Sequence, residues 1–219
     1  MSTSAPHVST FAGAPDYPVR FDVEYPDRPL NRLATLLRPF VAIPILVILG
    51  LVAGGSYEWR PDPGTTVAVT GGGMLVLPTV LMIVVRQKYP RWWFDFNREL
   101  ARFVARVYAY LALLDDRYPS TDDQQAVHFE IPYPDVRRDL NRWLPLVKWL
   151  LAIPHYIVLT FLWIAAVVAV LVAWVAILVT GRYPRWAFDF VVGVGRWEAR
   201  VAGYATLLVT DRYPPFSLR

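Results

Sequence analysis

Three sets of residues have the types and spacing to do chemistry. His155 is the one ionisable side chain deep inside an apolar run, twelve residues past Trp143. On a helix that is about 18 Å, near the middle of a bilayer. An ionisable group there can relay protons, although Ile45 holds the matching position earlier in the chain and no acid shares the stretch. The reading taken is a hydrogen-bonded structural histidine. Asp95 and Asp189 recur in the same setting, just ahead of two charged helical segments. Paired carboxylates suit acid–base work or cation binding; the simpler role is a helix N-cap or an ion pair with Arg91 or Arg185. The third set is basic: Arg91 with Arg185, Arg102 with Arg196, and Arg106 with Arg200. Such a doubled set can hold anionic lipid headgroups, at about 1 kcal/mol per residue near the surface, or can simply keep its loops inside the cell.

Other chemistry is excluded or unsupported. The 219 residues include no Cys, so disulfides, thiolate nucleophiles and Cys-bound metals are out. No Walker loop, G-x-G-x-x-G, H-E-x-x-H or G-x-S-x-G motif is present. No cofactor or metal is called for. The chain is 55% hydrophobic and 18% charged, with a mean hydropathy of +0.34, which argues against a disordered chain or an ordinary cytosolic enzyme. The net charge of +4 suits an anionic membrane surface. A nucleic-acid role would need a dedicated soluble basic domain, and the arginines track the edges of apolar runs instead.

The elements that must position these groups begin with the apolar runs. Pro39–Gly55 and Thr65–Val85 flank a polar loop, Ser56–Gly64. Trp149–Thr180 is free of formal charge throughout. As one helix it would rise about 48 Å, more than the roughly 30 Å of a hydrocarbon core. Folded as a hairpin turning near residues 164–166, it leaves every Lys and Arg except Arg60 on one side, as the positive-inside rule favours. The hairpin reading is taken on that asymmetry.

The chain also repeats itself. Val19–Pro26 matches Val127–Pro134, Asn31-Arg32 matches Asn141-Arg142, and Val41-Ala42-Ile43-Pro44 matches Leu151-Ala152-Ile153-Pro154. Lys88–Phe96 matches Arg182–Phe190 with seven of nine identities, and Asp116–Pro119 matches Asp211–Pro214. The offset falls from 110 (Asn31 to Asn141) to 94 (Lys88 to Arg182), so the second copy is 16 residues shorter between those points. Repeats that cross an even number of times insert the same way up, which predicts a pseudo-two-fold axis along the membrane normal. The alternating Phe21, Val23, Tyr25 and Phe129, Ile131, Tyr133 predict one strand per repeat. Arg98, Arg102 and Arg106 share one face of a helix whose other face carries Leu100, Phe103, Val107 and Leu111, the pattern of an interfacial helix. Seven of the twelve Tyr precede Pro and mark element boundaries.

Ile153-Pro154-His155-Tyr156, Thr180-Gly181-Arg182-Tyr183-Pro184, Phe188-Asp189-Phe190, Arg196-Trp197 and Thr210–Phe216 resemble the DUF4389 family. The likeness covers both repeats, as two tandem copies, and is sharpest in the second. It implies a helical integral membrane protein of bacterial type and brings no catalytic residue.

The expected fold is thus an all-α membrane protein of two tandem repeats. Each holds a transmembrane hairpin, a cytoplasmic amphipathic helix and one short strand. Residues 1–18 form a flexible tail, 19–119 repeat 1 (spans about 37–55 and 65–85, amphipathic helix about 97–114), 120–126 a linker, and 127–216 repeat 2 (spans about 144–163 and 166–181, amphipathic helix about 190–208). The expected function is non-enzymatic. It is a multi-pass bacterial inner-membrane scaffold or accessory subunit, both termini cytoplasmic, binding anionic lipid and a membrane-protein partner or a second copy. The alternative is a small transporter or channel with its path between the repeats.

Overall fold

The structure is a computed structural model that describes residues 17–53, 56–62, 65–70, 75–120 and 125–219. Most of the expected tail, 1–18, and of the linker, 120–126, lies outside the described residues.

β1 (Arg20–Val23) pairs antiparallel with β4 (Val127–Glu130), and the register sets Phe21 opposite Phe129, its own match in sequence. The alternation that predicts these strands puts Phe21, Val23, Val127 and Phe129 on the buried face. α4 (Arg91–Leu111) packs on β4, and α8 (Arg185–Ala205) packs on β1. Both helices start after a proline, Pro90 or Pro184, whose fixed φ suits a helix entry. Both are followed by a left-handed leucine, Leu113 (φ 64°) or Leu208 (φ 55°). α8 reaches the sheet because Gly195 and Gly203 face it: a Cβ on Gly203 would fall 2.4 Å from Val19 Cγ2.

An apolar layer of helices lies beyond α4 and α8. α1 (Arg32–Val41) is capped by Asn31, whose Oδ1 accepts from the Leu33 and Ala34 amides. α2 (Ile43–Ala53) follows it almost directly. Then come β2 (Ser56–Asp62) and β3 (Thr65–Thr70), an antiparallel pair, and α3 (Val76–Arg86). In the second half, α5 (Val136–Asp139), a 3-10 turn at Leu144–Leu146 and α6 (Lys148–Leu151) lead into α7 (Ile153–Thr180). α7 starts at a proline, Pro154, and stops at Gly181 in the left-handed region.

Three expectations change here. Residues 153–180 form one 28-residue helix, not spans of 144–163 and 166–181; no Gly, Pro or Asn breaks the run, and the backbone keeps its helical bonds. The helix expected over 65–85 begins only at Val76, because Thr65–Thr70, rich in β-branched residues, pairs with Ser56–Asp62. α8, expected on a membrane surface, is instead the most enclosed helix, held between β1 and α7. The 16-residue offset is also explained. α2 matches the start of α7 and α3 matches its end, so the β2–β3 hairpin stands where the second half continues its helix through residues 164–169.

Two segments are long and apolar enough to cross a membrane, Arg32–Gly50 (α1 with α2) and α7. α7 buries only a seam, His155, Leu159, Ala166, Ala169, Ala173 and Ile177. Leu162, Trp163, Val170 and Trp174 are partly buried beside it, and an outer face of Phe161, Ile164, Val167, Val168, Leu171, Val172, Val175 and Val179 is exposed.

Candidate functional site

The basic set goes inward. Arg102 Nε donates to the Phe129 carbonyl at 3.1 Å, and Arg196 Nε donates to the Phe21 carbonyl at 3.2 Å. Each guanidinium therefore crosses to the strand of the other half. Arg196 also pairs with Asp22 at 2.9 Å and donates to the Leu218 carbonyl. Arg106 donates to the Ser120 carbonyl, and the buried Arg200 to the carbonyls of Ser217 and Arg219. Arg91 lies over the Tyr133 ring at 4.6 Å and Arg185 over the Tyr25 ring at 3.8 Å, again each on the other half. As a set these are bonds between parts of the protein. Arg91 and Arg185 are the most exposed of the six, and Arg102, also paired with Glu99 at 2.8 Å, stays part-exposed.

The same reciprocity holds elsewhere. Tyr25 Oη donates to the Tyr183 carbonyl and Tyr133 Oη to the Tyr89 carbonyl; Tyr89 Oη donates to the Leu207 carbonyl and Tyr183 Oη to the Ala112 carbonyl. Arg32 donates to the Val179 carbonyl at the end of α7, and Arg142 to the Val84 carbonyl at the end of α3.

Asp95 and Asp189 do not cap. The N-cap positions are Pro90 and Pro184, and both aspartates sit in the second turn of their helices, where no free amide faces them. Asp95 pairs with Arg98 at 3.2 Å, and Asp189 is exposed. Among the described residues no three His, Asp or Glu side chains come close enough to hold a metal ion.

His155 is fully buried. Its Nδ1 accepts from Trp197 Nε1 at 3.1 Å, and its ring stacks on Phe216 at 4.0 Å and lies 4.7 Å from Tyr213. An indole only donates, so the proton of the neutral imidazole sits on Nε2, which has no hydrogen-bond partner among the described residues.

Three charged residues escape the sequence reading, two of them fully buried. Lys148 is wholly buried; its Nζ donates to the Thr210 carbonyl at 2.7 Å and pairs with Asp211 at 2.8 Å, over the Tyr204 ring. Arg38 does the same in the first half, donating to the Tyr110 and Asp115 carbonyls over the Tyr110 ring. The signal was present: lone cations beside apolar runs, at the same offset of 110 as Asn31 and Asn141. The third is Glu198 on α8. Burial pushes its carboxyl above the usual range, opposed by the nearby Trp163 indole N–H.

A family model described as "Domain of unknown function (DUF4389)" matches residues 143–217. One copy is matched rather than the two expected; the first half departs from the motifs at Ile45 and Gln87 and carries the additional β2–β3 hairpin. No curated protein matches the chain, and no solved structure does. The stretch from Trp143 to Ser217, which contains α7, α8, His155 and Glu198, is similar to that family of unassigned function.

Proposed function

We propose that the protein is a non-enzymatic scaffold or accessory subunit of the bacterial inner membrane, built of two tandem repeats about a pseudo-two-fold axis and lying in one leaflet. The observation that carries the reading is the outer face of α7. Its exposed Phe161, Ile164, Val168, Leu171 and Val175, with Leu33, Phe40 and Val47 of α1 and α2, make an apolar surface that water does not favour. Burial yields about 1.5–3 kcal/mol per large side chain, so lipid contact on α7 alone is worth on the order of 10 kcal/mol.

The placement in one leaflet follows from what α7 rests on. α7 packs along α8, and α8 carries Arg185, Asp189, Arg196, Glu198 and Arg200 and touches β1. A crossing α7 would take those charges into hydrocarbon at about 2.5–3.5 kcal/mol each. Lying in the plane, the apolar layer meets the acyl chains and the arginine-bearing layer meets the headgroups. This differs from the multi-pass topology of two transmembrane hairpins, of which only the second needed a turn near 164–166. Anionic headgroups then meet the exposed Arg91, Arg137, Arg138, Arg182 and Arg185 on the cytoplasmic side. A membrane-protein partner or a second copy covers what lipid does not. Against the transporter alternative, rings pack between the halves, Phe21 on Phe129 at 6.5 Å and Phe94 on Tyr133 at 5.0 Å.

Vesicle flotation tests the proposal. The full chain is expected to float with phosphatidylcholine–phosphatidylglycerol vesicles in 1 M salt. The chain with Phe161, Ile164, Val168 and Leu171 all changed to Gln is expected to stay in the dense fraction as a folded protein. Flotation of both alike would overturn the reading.

A further inference from the structure

Beside α7 and α8 an open groove of about 540 Å³ is lined mainly by apolar side chains, with hydroxyl-bearing Tyr156, Thr160 and Thr206 and one charged group, Glu198. Other enclosed acids are matched by cations: Asp22 by Arg196, Asp115 by Arg117 and Asp211 by Lys148. Glu198 is not. Its polar neighbours are the Trp163 indole and the Tyr108 phenol, and neither carries a positive charge. The shared architecture does not need this pair, since Val104 and Ala53 hold the matching positions in the first half. A carboxyl placed in an apolar groove on one side only, with its charge unmatched, points to a cationic occupant.

The groove's position says what kind. It opens past Ile164 and Val167 onto the exposed apolar face of α7, while Glu198 sits one layer down, on the helix that carries the arginines. We infer that this groove holds a single bilayer lipid with a primary ammonium headgroup, an ethanolamine phospholipid. Its acyl chain runs along Ile164 and Val167, and its ammonium meets Glu198. Three N–H donors on the ammonium find the carboxylate and the two threonine oxygens. A phosphatidylglycerol headgroup would bring a negative charge against Glu198 with nothing to offset it. The inference rests on the leaflet placement proposed above.

Native mass spectrometry of the full chain in micelles, titrated separately with phosphatidylethanolamine, phosphatidylcholine, phosphatidylglycerol and diacylglycerol, tests it. One bound phosphatidylethanolamine, held at least tenfold more tightly than phosphatidylglycerol, is expected. Glu198→Gln is expected to remove that preference, and Ala202→Phe, which fills the groove, to remove the bound lipid. Equal binding of the four lipids by the unaltered chain, a preference for diacylglycerol, or an undiminished preference in Glu198→Gln would overturn the inference. Flotation on vesicles free of ethanolamine lipid separates the two readings. Flotation without selectivity sinks only the lipid site, whereas no flotation sinks the leaflet placement itself.

Discussion

The two halves share a set of bonds but differ in their apolar layers. Arg38 and Lys148 occupy matched positions and reach matched carbonyls, those of Asp115 and Thr210. In the second half one unbroken helix, α7, covers α8. In the first, a β-hairpin splits the equivalent helix into α2 and α3. The second half alone has His155 against Trp197 and Trp163 beside Glu198; the first has Ile45 with Phe103, and its sequence has Ala53 and Val104 at the other two positions. What both halves keep is the frame: an arginine to the opposite strand, a tyrosine to the opposite turn, a buried cation on the C-terminal carbonyls. What only one half has is where a specific activity belongs.

The largest effect should come from the buried cations. Lys148→Met leaves the Thr210 carbonyl and Asp211 unmatched and is expected to cost about 3–5 kcal/mol of stability in denaturant titration. Arg38→Met should cost less, because Arg38 holds two carbonyls and no carboxylate at ion-pair distance. Equal and negligible losses would break the idea that these cations anchor the two halves. Next come the small residues under α4 and α8. Gly203→Ala forces Cβ into Val19 and should cost about 1–3 kcal/mol. The matched Ala109 already carries a Cβ, so Ala109→Gly should cost only about 1 kcal/mol, the helix propensity difference. A thermal melt of each variant sharpens the contrast.

Helix ends give a smaller, opposite-signed pair. Gln87 ends α3 at φ 47° where Gly181 ends α7 at φ 76°. Gln87→Gly should stabilise by about 1 kcal/mol and Gly181→Ala should destabilise by a similar amount, since a Cβ at 181 meets only ordinary contacts and the cost is the backbone alone. Smallest is a pH effect. The folded-state pKa of Glu198 lies above its ordinary value, so the native state holds the extra proton. Stability should therefore fall as pH rises from the ordinary glutamate range through that raised value. Glu198→Gln should flatten this part of the melting-temperature profile, and an unchanged slope would contradict the burial of the carboxyl.

Much of the frame is visible in the chain itself. The alternation around Phe21 and Phe129, together with the duplication, predicts the β1–β4 strands, and the Tyr-Pro dipeptides fall where elements end. The i, i+4, i+8 arginines of α4 were legible as a stripe, but not what the stripe meets. A guanidinium on a helix face looks the same in sequence whether it reaches a headgroup or the carbonyl of a strand 27 residues on, as Arg102 does. The turn in 149–180 failed for a related reason. The charge asymmetry that chose it assumed that every long apolar run crosses, and one lying flat in a leaflet satisfies the same asymmetry. Glu198 went unseen because a lone acid on a charged helix attracts no notice until α7 is laid beside it.

Depth profiling of α7 tests the central claim most directly. The chain has no Cys, so single cysteines at Ile157, Ile164, Leu171 and Val179 can each carry a spin label for immersion measurement in bilayers. The account predicts one common depth for all four, about 5–10 Å below the headgroup boundary. A depth that rises to the bilayer centre and falls again along the helix would show that α7 crosses, and would contradict the leaflet placement.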